Sequence, residues 1–270
     1  MKGTNPFNQD RAISGVMKEG QLVYLLDDRG RRYWTNARPE MLKIPGLGVL
    51  DGNKLMALES GSKISFAGIE FYVLIPGNPE LMESVDRSAQ VIIAKDAATI
   101  LFNLDVKSGD TVLEAGLGSA SLTMPLLNVV RPSGKVISVE LREDFATKGR
   151  RNVARTGFQA NWQLMIGDVR TIDISEKVDS VVLDMPNPWE AVDNVKRFLK
   201  PGGRFCGYVP NTNQLESTVK KLRSSGFIEV MALENIQRTM DVHEGGVRPS
   251  FDMLGHTGYL VFGRLAPFGQ

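Results

Sequence analysis

The chain has 270 residues, 42% of them hydrophobic and 23% charged, enough apolar material for one full domain and a smaller second one. Its 32 Lys and Arg balance 31 Asp and Glu, which excludes a globally basic nucleic-acid binder and confines any polyanion surface to a local patch. The single Cys206 excludes an internal disulfide and a cysteine-rich zinc site, and His243 and His256 are too few and too far apart to suggest a metal centre.

No apolar run reaches bilayer length and the start has no signal-type hydrophobic core, so a soluble, cytoplasmic protein is expected. Residues 1–78 carry short β-type runs, Gln21–Leu26, Arg32–Thr35, Lys63–Phe66 and Glu70–Ile75, separated by Asp-Arg-Gly, Pro-Gly and Ala-Gly turns. They predict a small β-rich domain closed by Pro76-Gly77-Asn78-Pro79. Residues 79–270 then alternate. Helical spacing runs from Ser88 to Leu104, followed by strands at Val112–Leu113, Lys135–Glu140, Asn161–Ile166, Val178–Asp184 and Gly203–Val209. Helices are expected between them at Arg142–Thr156, Pro188–Leu199 and Asn213–Ser225. Ile228–Glu234 and Thr257–Arg264 read as two strands joined by a loop, with Gly245 to Pro249 as a flexible loop near the site mouth.

Apolar strands alternating with helices predict an α/β fold with a parallel sheet covered on both faces. Seven strands ending in an antiparallel C-terminal hairpin give a Rossmann-like, methyltransferase-type sheet. The small N-terminal β-rich domain is an addition to it.

Ligands of such sheets bind outside the carboxyl ends of the strands. The first strand ends in Glu114-Ala115-Gly116-Leu117-Gly118-Ser119-Ala120-Ser121, a strand, glycine turn and helix start suited to a nucleoside cofactor. Glu140 comes a little over twenty residues after the first glycine, where ribose hydroxyls are usually held. A pyrophosphate would be repelled by Glu114, whereas an ammonium could donate to it. S-adenosylmethionine has an ammonium and a sulfonium and no phosphate, so charge favours it over NAD.

Asp168 suits an adenine amine or, structurally, a turn. Asp184 is the candidate for chemistry, because an apolar strand carries it to the site edge and Pro186 and Pro188 stiffen the backbone just beyond it. Asn187 is expected to cap the next helix. Trp189 serves either as a core anchor or as a pocket wall. His256 reads as a histidine bonded within the terminal hairpin or at a subunit contact.

Together these residues resemble the tRNA (adenine-N1-)-methyltransferase family, which modifies adenosine 58 in the T-loop. The resemblance is carried by Asp86 to Gln90 with Lys95-Asp96, by Glu114 to Thr123, by Leu183-Asp184-Met185-Pro186-Asn187-Pro188-Trp189, by Tyr208-Val209-Pro210-Asn211 and by Gly255-His256-Thr257-Gly258-Tyr259-Leu260. Leu26 to Arg31 is similar to the family's opening hairpin. The resemblance implies that Gln90, Glu114, Gly116, Gly118, Ser119, Ala120, Ser121 and Glu140 hold S-adenosylmethionine, with Asp168 and Val169 at its adenine. It implies Asp184 at the target adenine, with Tyr208, Asn211 and Trp189 around the base, and no metal. It further implies a homotetramer with tRNA as partner.

The chain departs from the family at Ala120, where glycine is usual, and at Ile93, where an aromatic is often found. Ala120 is tolerated if its φ is negative, and Tyr208 is the candidate to replace the missing aromatic. Phosphate contacts are expected from Arg29, Arg31 and Arg32 in the N-terminal domain. The helix clusters Lys148, Arg150, Arg151 and Arg155, and Lys220, Lys221 and Arg223, read as solvated faces. The alternatives are a small-molecule or protein methyltransferase of the same fold, and a non-catalytic tRNA-binding subunit.

Overall fold

Short alternating runs broken by glycine turns build the first part of the protein. The structure, a computed structural model, describes residues 16–86 and 91–266. The chain divides into two compact units, one up to Gly77 together with Arg155–Gly157, the other comprising Asn78–Ala154 and the residues from Phe158 onward.

The first unit contains β1 (Leu22–Leu26), β2 (Arg32–Asn36), β3 (Met41–Ile44), β4 (Gly48–Asp51), α1 (Gly52–Met56), β5 (Lys63–Phe66) and β6 (Ile69–Leu74). Four of the strands pair antiparallel in the order β2-β1-β6-β5, and β3 pairs with β4. The unit closes around its own core of Val23, Leu25, Ile44, Leu55, Phe71 and Val73 among others. Asp27 fixes the β1–β2 turn. It is buried, and it accepts the N–H groups of Arg29 and Arg31 at 3.0 and 2.8 Å and the Arg31 guanidinium at 2.7 Å.

The second unit runs α2 (Asn78–Glu83), α3 (Ala94–Asn103), β7 (Thr111–Ala115), α4 (Thr123–Val130), β8 (Lys135–Glu140), α5 (Glu143–Ala154), β9 (Trp162–Ile166) and β10 (Val178–Leu183). It continues with α6 (Val192–Val195), β11 (Leu199–Val209), α7 (Thr212–Ser224), β12 (Phe227–Glu234), β13 (Met240–His243), β14 (Gly246–Pro249) and β15 (Tyr259–Leu265). Seven strands form one sheet in the order β12-β15-β11-β10-β7-β8-β9. The five central and flanking strands β7 to β11 pair parallel, while β15 runs antiparallel to both its neighbours. Leu113, Ile137, Val181, Leu183 and Phe205 are fully buried or nearly so in the core of this unit. Each such side chain contributes roughly 1.5–3 kcal/mol by leaving water.

The sheet order turns back between β7 and β10, and ligand crevices of open α/β sheets lie at such a point.

Three expectations are corrected. The helix expected at Pro188–Leu199 is a 3-10 turn, Pro188–Ala191, followed by the single-turn α6. The strand expected from Gly203 begins at Leu199. The loop expected at Gly245–Pro249 is instead mostly strand: Gly246–Pro249 is β14, which pairs antiparallel with β13, His243 standing opposite Gly246 across a two-residue turn.

Candidate active site

Asp184 lies directly after β10, and its backbone N–H donates to the Ala115 carbonyl at the end of β7, 2.8 Å away. Two strand ends are thereby tied together. Gly116 makes the approach feasible: it sits at φ +85°, and a Cβ there would overlap the Asp184 carbonyl. Three cavities open at this point, of about 460, 30 and 280 Å³, and Asp184 is the one residue that borders all three.

The largest cavity lies over the ends of β7, β8 and β9. Gly116 and Gly118 border it with Glu140, Phe145, Asp168 and Val169. Glu140 accepts the Gly118 N–H at 3.1 Å and the Arg142 N–H at 2.9 Å, so its carboxylate is fixed at the rim by backbone. Gly118 sits at φ +54° with open space where a Cβ would stand. Asp168 makes a fork with Arg170, at 2.8 to 3.0 Å, which holds its carboxyl below the usual range. Arg170 also pairs with Glu190 at 2.8 Å. Asp168 therefore combines a turn role with a place in the cavity wall.

Glu114 borders the small cavity with Ser119 and Ser121. It is buried, and one carboxylate oxygen accepts the hydroxyls of Thr123 at 2.8 Å and Ser138 at 2.7 Å. Burial nevertheless pushes its carboxyl up to about 7. Burial alone pushes Asp184 up to about 7 as well, and Asp184 accepts no side-chain hydrogen bond from any described residue. Neither Glu114, Glu140 nor Asp184 forms an ion pair among the described residues.

The third cavity is bordered by Val91, Ile92, Met185, Pro186, Tyr208, Pro210, Gln214 and Thr257 besides Asp184. Burial raises the Tyr208 phenol to about 12. The segment Gly255 to Leu260 builds part of this wall. Thr257 donates to the fully buried Asp96 at 2.7 Å and accepts from Lys95 at 2.7 Å. A Cβ on Gly258 would overlap the Tyr208 ring. His256 lies between Glu234 (2.6 Å) and the Pro210 carbonyl (3.1 Å), and first the carboxylate, then the carbonyl, raise its pKa.

The structure thus gathers Glu114, Gly116, Gly118, Ser119, Ser121, Glu140, Asp168, Val169, Asp184 and Tyr208 around connected cavities. It does not bring in Asn211, whose Oδ1 caps α7 by accepting the Gln214 N–H at 3.0 Å. Trp189 is partly buried on the 3-10 turn and borders none of the three cavities. Ala120 is fully buried outside them and holds φ +65°, so the condition under which alanine is tolerated there, a negative φ, is not met: the residue sits in the left-handed region. Asn187 too is left-handed, at φ +55°, and its side chain makes no cap bond; it donates to Glu190 at 3.3 Å instead. Gln90 lies outside the described residues. Sequence reasoning missed Phe145, Met185 and Gln214. The spacing Asn211-x-x-Gln214 marks a helix start and gives no hint of the cavity.

The residues present fit S-adenosylmethionine. The strand-end carboxylates without cationic partners suit a ligand bearing an ammonium and a sulfonium, Glu140 suits ribose hydroxyls, and Phe145 and Val169 offer apolar area for a purine. Among the described residues no cluster of three or more His, Cys, Asp or Glu could hold a metal ion. No helix among them is long and apolar enough to cross a membrane.

Comparison with known proteins bears on the fold and the family. The chain is 34% identical, over 90% of its length and 94% of the relative's, to the tRNA (adenine(57)-N(1)/adenine(58)-N(1))-methyltransferase TrmI of Methanocaldococcus jannaschii. Among solved structures it superposes on a SAM-dependent O-methyltransferase from Thermotoga maritima with a TM-score of 0.81 at 29% identity, covering 97% of this chain and 99% of that one. It superposes on the tRNA (m1A58) methyltransferase TrmI from Aquifex aeolicus with a TM-score of 0.73 at 25% identity, covering 92% and 98%. Residues 70–248 match the family model for the tRNA methyltransferase complex GCD14 subunit, and with these relatives they establish that the chain belongs to that tRNA methyltransferase family.

Proposed function

We propose that the protein transfers the methyl group of S-adenosylmethionine to N1 of adenosine 58 in the T-loop of tRNA. The observation that carries this reading is Asp184 at the meeting point of a nucleoside-sized cavity and a second cavity that could take a purine. When bound in the largest cavity and reaching into the small one that Glu114 borders, S-adenosylmethionine supplies an electrophilic methyl group on a sulfonium. Glu114 and Glu140 hold it through charge and hydrogen bonds, with Gly116 and Gly118 giving its approach to the backbone.

The target adenine enters the second cavity beside Tyr208. Its N1 carries a free lone pair, so no strong base is required. The protein's work is to place that nitrogen in line with the methyl carbon and sulfur. As the N–C bond forms and the C–S pair leaves with sulfur, positive charge spreads over the base and the exocyclic amine becomes a stronger donor. The Asp184 carboxylate accepting from that amine gains interaction in the transition state over the ground state. Its open carboxylate favours catalysis over a role confined to tRNA binding.

The base must leave the folded tRNA elbow to reach Asp184, which costs energy that phosphate contacts offset. The N-terminal unit supplies such contacts in this reading. Arg29 is its best candidate, because Arg31 is tied to Asp27 and Arg32 lies over the Tyr24 ring. The helix cations Lys148, Arg150, Lys220 and Lys221 are each paired with a carboxylate, to Asp86, Glu143, Glu216 and Asp193. The chain assembles as a homotetramer in this reading. The β13–β14 hairpin and the segment after it leave Val242, Val247 and Phe251 more than 60% exposed, an apolar surface suited to a second copy.

The test is nucleoside analysis of an unmodified tRNA transcript incubated with protein and S-adenosylmethionine. The expected product is 1-methyladenosine at position 58, and mapping its position also reads out 57, which the archaeal relative's name includes. A transcript without 1-methyladenosine would overturn the reading.

A further inference from the structure

Gln214 stands at the third position of α7, three residues after the capping Asn211. That spacing usually gives reciprocal bonds, the cap side chain accepting the N–H of the third residue and its side chain reaching back to the cap's N–H. Here the forward bond is present, Asn211 Oδ1 accepting the Gln214 N–H at 3.0 Å. The return bond is missing. Gln214 Oε1 is buried with no donor, and the residue borders the same cavity as Asp184 and Tyr208. A buried acceptor left open lowers stability, and such groups call for an explanation. The remainder of that wall is largely apolar, with Val91, Ile92, Met185, Pro186 and Pro210.

We propose that Gln214 turns its carboxamide into the cavity when the base enters, since its open Oε1 is otherwise shut off from it, and then reads the amine and N7 edge of the target adenine, Oε1 accepting from the exocyclic amine while Nε2 donates to N7. This rests on the reading of that cavity as the target-base site. The amine has two hydrogens, one beside N1 and one beside N7. Asp184 takes the hydrogen beside the reacting nitrogen, which leaves the one beside N7 for a second acceptor. A carboxamide matches the amine-and-N7 edge with both of its groups, the pairing that glutamine makes with adenine elsewhere. Guanine offers an acceptor where adenine offers the amine, so both carboxylate and amide oxygen would face a lone pair. Gln214 is thus assigned to base selection, and Asp184 to the reacting edge.

The experiment replaces the target adenosine in the tRNA by 7-deazaadenosine, which keeps N1 and the amine and lacks the N7 acceptor. Single-turnover rates are measured for wild type, Gln214→Met and Gln214→Glu, with thermal melts confirming that each variant folds. Wild type is expected to lose about tenfold on the deaza RNA, a loss worth about 1.4 kcal/mol. Gln214→Met should lose about tenfold on the natural RNA and nothing further on the deaza RNA. Gln214→Glu keeps an acceptor but sets a charge against N7, so it should prefer the deaza RNA and invert the wild-type order. A purely structural role would leave the two losses multiplicative and the order unchanged. A wild type that methylates both RNAs equally overturns the role of Gln214 alone, whereas one that forms no 1-methyladenosine on either overturns the function itself.

Discussion

Gly116 and Asp184 touch through their backbones: the carbonyl of Asp184 occupies the space that a side chain at 116 would need. One glycine therefore serves both the turn at φ +85° and the placement of the acid on the next strand over. Gly116→Ala should shift the β10 end and distort both cavities. Cofactor affinity is expected to fall more than tenfold together with methyl transfer, read by calorimetry and by single-turnover assay. Unchanged affinity would show that the turn tolerates the shift.

Stability should fall as pH rises from about 4 to about 7. Glu114 and Asp184 are both raised from ordinary carboxyl values to about 7 by burial. The native chain then holds more protons than the unfolded one across that window, so its stability is greatest at the acid end. His256 acts in the same direction at higher pH: its raised pKa gives stability that is complete below its unfolded value of 6.5 and lost as pH climbs through the folded one. Glu114→Gln keeps an acceptor for Thr123 and Ser138 and removes the buried charge. Melts at pH 8 should show it about 1–3 kcal/mol more stable than wild type, with little difference at pH 4. Its cofactor affinity should drop, because function needs the charge that stability disfavours.

Gly258 is required by the Tyr208 ring that lies against it. Gly258→Ala should push the ring toward the cavity shared with Asp184 and lower methyl transfer to tRNA by tenfold or more, with cofactor binding within a few-fold. A titration in which both decline alike would place the ring's effect in the larger cavity.

Arg29 should act through phosphate. Arg29→Ala is expected to weaken tRNA binding several-fold and to reduce the salt slope by about one. Cofactor binding should be unaffected. Binding measured between low and moderate salt decides it, and an unchanged slope removes Arg29 from the tRNA surface.

The sheet was legible because strands buried on both faces read as apolar runs, such as Val112-Leu113 and Val181-Val182-Leu183, and because their ends carry the polar residues. The glycine turn and the acids Glu114, Glu140 and Asp184 were legible for the same reason. The first-unit strands β3 and β4 were not, because Met41–Ile44 runs straight into Pro45-Gly46 and Gly48–Asp51 opens on a glycine and passes directly into α1. Residues whose role depends on long-range approach were also hidden. Ala120 gives no sign of its positive φ, Thr257 none of its bond to Asp96 across 161 residues, and Gln214 none of its open acceptor. Asn211 was misplaced because a cap residue next to a strand end looks in sequence like a site residue.

The placement of Asp184 between cofactor and base is tested most directly by Asp184→Asn, with cofactor affinity by titration and single-turnover methylation of tRNA measured on the same preparation. The amide keeps the shape and loses the charge, so affinity should stay within a few-fold while the methyl-transfer rate falls by about two orders of magnitude. The wild-type kcat/KM should rise with pH through about 7 as the carboxylate ionises, and the variant's should not. A variant that loses affinity and rate in equal measure, or that keeps the wild-type rate and pH profile, would contradict the placement.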